Sequence, residues 1–486
     1  MFWRGVWGYL PANIVQAVVG FLTIVVFTRV LSADDYGRYA LAFSVMTLAH
    51  VAAFSWIEAA MARFWAAQST DHDRAEHISS LYRSTFWIGG AFLLVSLLTV
   101  AVWPMDTGFK LAVAAGLVGA PVRCFTKLAQ ERFRAAGEVR KAAMLDIGMA
   151  LGGFGVGVGF AYAGAGGASP LLGLLIAPLF ALPFVLPGEL KLGAGGQVSR
   201  SRLRGYAGFG YPIAASLALA LVLASTDRFL LAHFMDEAAV GAYHAGYSIA
   251  NRTLDVMFIW LGAAGAPAMV MALERGGHAD LRREARGQAD LFVLIGLPSA
   301  VGIALVARPM AEFMIGEDLR FAAAQVTPWI AAGAFLSGVT VYYLNQAFTL
   351  ARKTHLTLIA MAVPALVNVV LNLILIPRFG VVGAAWSTTA SLAIGAIASA
   401  LLAPASMRLP LPWESLIRCG LASAAMAGVV LLLPPIGGFL ELVLDAAVGA
   451  ATYGAVALIL NAAGARDLVI GFLARRRARN EQGAAA

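Results

Sequence analysis

Arg252 and Asp255 sit where charge is expensive. Both lie inside GAYHAGYSIANRTLDVMFIWLGAAGAPAMV, an apolar stretch running from Gly241 to Val270. If that stretch is a membrane-spanning helix, Arg252 falls roughly 16 Å along it, near mid-bilayer. A charge facing lipid at that depth costs at least ~2.5–3.5 kcal/mol, so it must meet a partner or a wet cavity. Asp255, at i+3, shares the helix face and can pair with it. Two readings stand: an internal ion pair that locks helices together, or a cavity lining that meets an anionic group.

Arg123 and Lys127 pose the question again, at i and i+4 in LVGAPVRCFTKLAQERF. Only Glu131 lies within a turn of them, so the stretch is net positive, and a guanidinium binds phosphate oxygens bidentately. Interfacial snorkelling is the alternative, more natural for Lys127 than for Arg123. Arg29 and Arg228 lie near the outer ends of apolar runs; snorkelling, a pair with Asp227, or substrate contact would each account for Arg228. Glu58 and Asp146 lie near inner ends, where structural pairing or a titrating role in ion coupling is expected, and Asp255 joins them as a coupling candidate. Asn368 and Asn372, at i and i+4, can hydrogen-bond across helices or to sugar hydroxyls.

The elements that must hold these residues are read from composition and hydropathy. The chain has 486 residues, is 60% hydrophobic and 13% charged, and has a mean hydropathy of +0.78. A soluble protein of this size has a polar surface to cover, so lipid is the expected solvent. Apolar runs of ~20 residues, enough to cross ~30 Å of hydrocarbon, recur from end to end. Fourteen spans are expected, at roughly 8–31, 38–62, 84–104, 109–131, 142–162, 169–187, 207–232, 241–266, 289–311, 322–347, 356–376, 382–404, 415–433 and 441–463. The sixth carries Pro170, Pro178, Pro183 and Pro187. Pro11, Pro121, Pro212, Pro267, Pro298, Pro328 and Pro364 would kink other spans and free carbonyls, suiting helices that bend during alternating access. The first run is too long for the apolar core of a signal peptide and is expected to be retained.

Basic residues set the orientation. With the N-terminus in the cytosol, 25 of the 35 Lys and Arg fall at inner ends, 6 at outer ends and 4 within spans, which satisfies the positive-inside rule and places both termini in the cytosol. Trp3, Trp7 and Tyr9 would anchor the first inner interface, and Tyr206, Phe209 and Tyr211 the entry of the seventh span. The basic tail, 465–486, is expected to bind anionic lipid rather than nucleic acid. Cys124 and Cys419 lack any metal or redox spacing and read as packing residues.

No sizeable extramembrane domain is present to hold an active site. The chain has no G-x-x-x-x-G-K followed by Ser or Thr, no HExxH and no paired Cys/His set, so neither a nucleotide, a metal nor another cofactor is expected. Asp71-His72-Asp73 resembles a metal-binding DxD but stands in a polar loop without further ligands. An internal repeat organises the chain: DDYGRYALAFS (34–44) and AAVGAYHAGYS (238–248) align Gly37 with Gly241, Tyr39 with Tyr243 and Ser44 with Ser248. Each copy follows a span that ends in arginine, Arg29 or Arg228. The period is half the chain, as in parallel-repeat transporters, where the substrate path runs between the halves. The expected division is 1–206 for the first six spans and a linker, 207–464 for spans 7–14 with the half boundary within 207–240, and 465–486 for the tail.

Two longer stretches carry a family likeness. FTRVLSADDYGRYALAFSVMTL (27–48) and ARKTHLTLIAMAVPALVNVVLNLILIPRFGVVGAAWSTTAS (351–391), with its Asn-x-x-x-Asn run, IPRFG and GAAWST, resemble Wzx-type flippases of polysaccharide biosynthesis. These belong to the multidrug/oligosaccharidyl-lipid/polysaccharide exporter (MOP) superfamily, whose fold is similar to that of MATE transporters. The resemblance implies an all-α polytopic membrane protein of two seven-helix halves. It also implies a non-enzymatic flippase in the bacterial cytoplasmic (inner) membrane that moves undecaprenyl-pyrophosphate-linked oligosaccharide outward for O-antigen, capsule or exopolysaccharide. A polymerase and a chain-length regulator would be its partners. Span 1 departs from some MATE antiporters: it offers Asn13 and Gln16 but no carboxylate, which weakens a cation-coupled drug antiporter. That antiporter and a membrane glycan polymerase or ligase are the rival readings.

Overall fold

A backbone immersed in lipid must satisfy its polar groups within its own chain, and the helix does so without a partner segment. The computed structural model describes residues 2–353, 355–404, 407–467 and 470, with the backbone alone at 2–8 and 264. Among the described residues there is no β-strand, and the expected all-α class holds.

The first seven helices are α1 (Phe2–Val30), α2 (Ala33–Phe64), α3 (Asp71–Val102), α4 (Thr107–Ala135), α5 (Val139–Tyr162), α6 (Ser169–Leu192) and α7 (Arg200–Phe234). Their starts carry side-chain caps: Ser32 accepts from Asp35 N at 3.2 Å, Thr70 from Asp73 N at 3.0 Å and Asp106 from Phe109 N at 3.2 Å. The proline-laden sixth span is one continuous helix, α6. After it come α8 (Glu237–Leu291), α9 (Leu297–Leu305), α10 (Ala307–Met314), α11 (Glu317–Val339), α12 (Gln346–Leu350), α13 (His355–Leu402), α14 (Trp413–Val430) and α15 (Gly438–Ile459). Two π-helical segments, Phe292–Gly296 and Thr340–Leu344, interrupt the α-helical run before α9 and before α12, and the Phe292 and Tyr343 rings lie 6.4 Å apart.

Among the described residues, eleven helices are long and apolar enough to cross a membrane, against the fourteen crossings expected. Part of the difference is continuity. Helix α8 runs through Gly277 (φ 67) and α13 through Gly380 (φ 56), so segments expected as separate spans are joined end to end by a single sharply turned residue. Helix α14, with Glu414 and Arg418 in its first two turns, is not among the eleven. The ninth expected span also ends early, because α10 is a short separate helix.

The chain divides into two compact units, Met1–His244 and Ala245–Ala486. In the first, α2 packs on α4 and α7, α4 on α6, and α5 on α6 and α1. The two repeat copies meet inside this unit. Gly37 faces the start of α8 so closely that a Cβ there would fall 1.7 Å from the Glu237 carbonyl oxygen, and the Tyr36 and Tyr39 rings lie 5.7 and 6.0 Å from His244. In the second unit, α11 packs on α13 and α9, and α14 on α15 and α9.

Some interfacial expectations change. Tyr206 is buried and hydrogen-bonds His77 at 2.6 Å, so it is a core residue rather than an anchor; Phe209 and Tyr211 are exposed. Tyr9 packs under the Arg134 guanidinium. The side chains of Arg4, Trp3 and Trp7, and residues 471–486 with Arg475, Arg476, Arg477 and Arg479, lie outside the described residues. Cys124 and Cys419 are free and buried.

Candidate functional site

The first unit holds a cavity of ≈ 420 Å³ lined by five helices, with Leu174, Ala177 and Pro178 of α6 forming an apolar side. Helix α1 contributes Gln16, α2 His50 and Glu58, α4 Arg123 and Lys127, and α5 Asp146. The i,i+4 spacing puts Arg123 and Lys127 on one face of α4, and i,i+8 places His50 and Glu58 two turns apart on one face of α2. The depth of these groups follows from the packing of α2 and α5 around α4.

Hydrogen-bond accounting shows which charges are spent. Asp146 accepts from Arg134 Nη2 at 2.9 Å and from the Gln130 amide. Lys127 Nζ lies 3.7 Å from Glu131, which also pairs with Arg134 at 2.8 Å. His50 sets Nε2 2.9 Å from Glu58 Oε1 and Nδ1 3.3 Å from the Ala120 carbonyl oxygen. Both ring nitrogens thus face oxygen acceptors, and the ring tautomer decides which of them donates. Arg123 differs. Its Nη1 lies 3.7 Å from the Met46 sulfur, a weak acceptor, and among the described residues no carboxylate stands within ion-pair distance of it. This guanidinium therefore faces the cavity without a direct ion pair, with Glu58 in the same lining beyond ion-pair distance, in a segment where charge is costly.

The other expected residues are dispersed. Arg252 is exposed and has no ion pair or hydrogen bond to another described residue; Asp255 accepts instead from Asn251. Of the two readings for this pair, the direct i,i+3 ion pair is not formed; the Asp255 carboxylate is met by Asn251, one turn earlier. Arg29 is exposed, with Nη1 on the Val25 carbonyl at 2.8 Å. Arg228 is buried against Ser44 Oγ at 3.2 Å, and Asp227 accepts from the Tyr243 hydroxyl at 2.5 Å, tying α7 to α2 and to the start of α8. Asn368 and Asn372 are fully buried: Asn372 donates to Asn368 at 3.0 Å, and Asn368 to Thr388 at 3.5 Å across the bend of α13. Asp71 pairs with Arg74 at 3.2 Å and Asp73 with Arg202 at 2.5 Å.

Sequence reasoning missed His50 and the role of Gln16; the eight-residue spacing to Glu58 was the available signal. It also missed a buried network at the ends of α4 and α6. Arg132 donates to Glu189 at 2.7 and 2.9 Å and to Glu138 at 2.5 Å, with its guanidinium 4.3 Å from the Phe133 ring centroid. Burial acts against the Glu138 carboxylate, but hydrogen bonds from Lys141 and Arg132 outweigh it and hold its pKa below the ordinary value.

Residues 26–324 match the family model described as polysaccharide biosynthesis protein. The probable flippase AglR of Haloferax volcanii is 27% identical over 258 residues, which is 48% of this chain and 50% of that protein. The chain thus spans about half the length of this curated relative. Among solved structures, the lipid II flippase MurJ in an inward closed conformation superposes with a TM-score of 0.77 at 13% identity, over 95% of this chain and 99% of that one. An inward-facing multidrug resistance MATE family transporter of the MOP superfamily gives 0.60 at 14% identity, over 80% and 96%. These two structural likenesses establish the fold: the chain is a multi-pass helical membrane protein of the MATE and MurJ architecture.

Proposed function

Since the chain belongs to the polysaccharide biosynthesis protein family, we propose that it is a flippase for an undecaprenyl-pyrophosphate-linked oligosaccharide, feeding surface polysaccharide assembly across the bacterial cytoplasmic membrane. The observation that carries this reading is Arg123, which faces the cavity of the first unit without a direct ion pair to a described carboxylate. A diphosphate supplies the missing counter-charge and matches the two-pronged donor of the guanidinium. Lys127 adds a second cation at the same wall, and the prenyl tail stays in lipid. Taking the two limbs of α8 and of α13 as separate crossings, and adding α14, brings the eleven apolar helices to fourteen, with both termini cytosolic. Glu58, paired with His50 inside the cavity, is the residue assigned to exchange a proton if an ion gradient drives transport.

Replacement of Arg123 tests the reading. Arg123→Ala and Arg123→Glu should abolish surface glycan and leave the lipid-linked intermediate on the inner leaflet, while the protein still reaches the membrane. Arg123→Lys should keep partial activity, because charge remains and the bidentate fork is lost. Wild-type glycan in Arg123→Ala cells would overturn the cationic-cavity mechanism. Organic-cation export that survives Arg123→Glu would point to the antiporter instead, and altered product chain length in a reconstituted system to a polymerase or ligase.

A further inference from the structure

Helix α4 carries its cations in a line. Arg123, Lys127, Gln130 and Arg134 are spaced i, i+4, i+7 and i+11, which keeps them within about 60° of one another around the helix, over roughly 16 Å of its length. Gln130 is the last α4 residue to line the cavity of the first unit, and Arg134 stands one turn beyond it, at the end of the helix. The three cations are neutralised to different degrees. Arg134 meets two carboxylates, Asp146 of α5 at 2.9 Å and Glu131 at 2.8 Å, and its guanidinium lies 5.8 Å from the centroid of the Tyr9 ring on α1. Among the described residues Lys127 meets Glu131 alone, at 3.7 Å, and Arg123 has no carboxylate within ion-pair distance. Glu58, the remaining carboxylate of the lining, is bonded to His50.

Two of these ties are open to exchange. The Arg134 side chain is 35% exposed and that of Lys127 41%, so a competing anion can reach both, and pairs at such exposure are weak. Arg132 is the contrast: 6% exposed and enclosed by Glu189 and Glu138, it is closed to any anion from outside. Asp146 accepts from both Gln130 and Arg134, so its carboxylate occupies the donors that an anion moving along the stripe would use. An anion passed from Arg134 to Lys127 to Arg123 competes with two internal carboxylates, then with one, then with none. The gradient runs into the cavity. We propose that Arg134 and Lys127 form a loading track for the diphosphate of the cargo, with Asp146 and Glu131 as the internal anions it displaces on the way to Arg123; the inference rests on the flippase reading given above. A diphosphate suits the track because its charges can bridge Lys127 and Arg123, one turn apart.

The experiment follows association and dissociation of undecaprenyl pyrophosphate on the purified full-length protein in phosphatidylcholine nanodiscs. Arg134→Gln should slow association on the order of tenfold and flatten its dependence on salt. Arg134→Lys keeps the charge, guards against misfolding of the glutamine variant, and should retain most of the rate. Asp146→Asn removes the competing charge while leaving an acceptor for Gln130, and should speed association. In the double variant Arg134→Gln/Asp146→Asn that gain should vanish, because it acts through Arg134. Arg123→Ala should instead raise the dissociation rate. An ion pair that only fastens α4 to α5 predicts the same sign for both single variants. Slowing by both, or no change in either, overturns the track, and the Arg123 mechanism survives that result if Arg123→Ala still releases the probe faster. Equal rate changes with phosphatidylglycerol as the probe also overturn the track, by assigning the stripe to bulk lipid headgroups. Wild-type retention of the probe by Arg123→Ala would remove the cationic-cavity mechanism and the track with it.

Discussion

Arg132 and Arg123 lie nine positions apart on α4 and meet opposite fates. Arg132 is enclosed by Glu189 and Glu138, with side chains of Arg132 and Glu189 only 6% and 1% exposed. Removing one partner of such a pair strands the other, at a cost of ~3–5 kcal/mol. Glu189→Gln should therefore lower thermal stability in detergent by several degrees or prevent accumulation, whereas Arg123→Ala should leave the melting temperature close to wild type. Glu138 gives a pH-dependent signature. Its folded-state pKa is depressed, so its contribution is present above the ordinary carboxylate range and is lost as pH falls through that range toward the folded value. Melting temperatures measured downward from neutrality should drop more steeply for the wild type than for Glu138→Gln. The sequence revealed Arg123 because charge is conspicuous at that depth. It could not reveal that Arg132 is sequestered, since Glu189 is 57 positions distant and only the packing of α4 on α6 brings them together. Sequence left Arg252 and Asp255 open between an ion pair and a cavity lining, because face-sharing permits a pair but does not choose between two neighbours of the same carboxylate.

At the level of elements, hydropathy found the apolar runs but not the single residues at which two pairs of them turn. A polar connection reads as a loop, yet its backbone can stay helical up to one residue, and only the turned glycine shows where direction changes. Gly380 has φ 56 and ψ −135, a conformation almost confined to glycine. Gly380→Ala should cost ~1–3 kcal/mol and reduce the thermal stability of the purified protein. Gly37→Ala tests a different constraint, close approach rather than backbone freedom. Its methyl group would overlap the Glu237 carbonyl, so the junction of α2 with the start of α8 must shift. Loss of transport with unchanged membrane insertion is the expected outcome, read by surface glycan and by quantitative blotting.

For the whole molecule, composition alone identified the solvent, and the bias of basic residues supplied an orientation that can be measured. Single cysteines at Ala136 and Ala194, both exposed, should react with a membrane-impermeant maleimide only in inverted vesicles; those at Thr107 and Glu317, also exposed, should react in intact cells. Cys124 and Cys419 are buried and should give no background. Reversed labelling would invert the assignment of the cytosolic face and with it the side from which cargo loads.

The paired π-helical segments of the second unit carry a mechanical implication. Each holds a surplus residue relative to an α-turn, and the rings of Phe292 and Tyr343 touch across them. Expelling that residue from one coil would swivel everything downstream by about 100°, re-aiming a whole row of side chains without unwinding the rod.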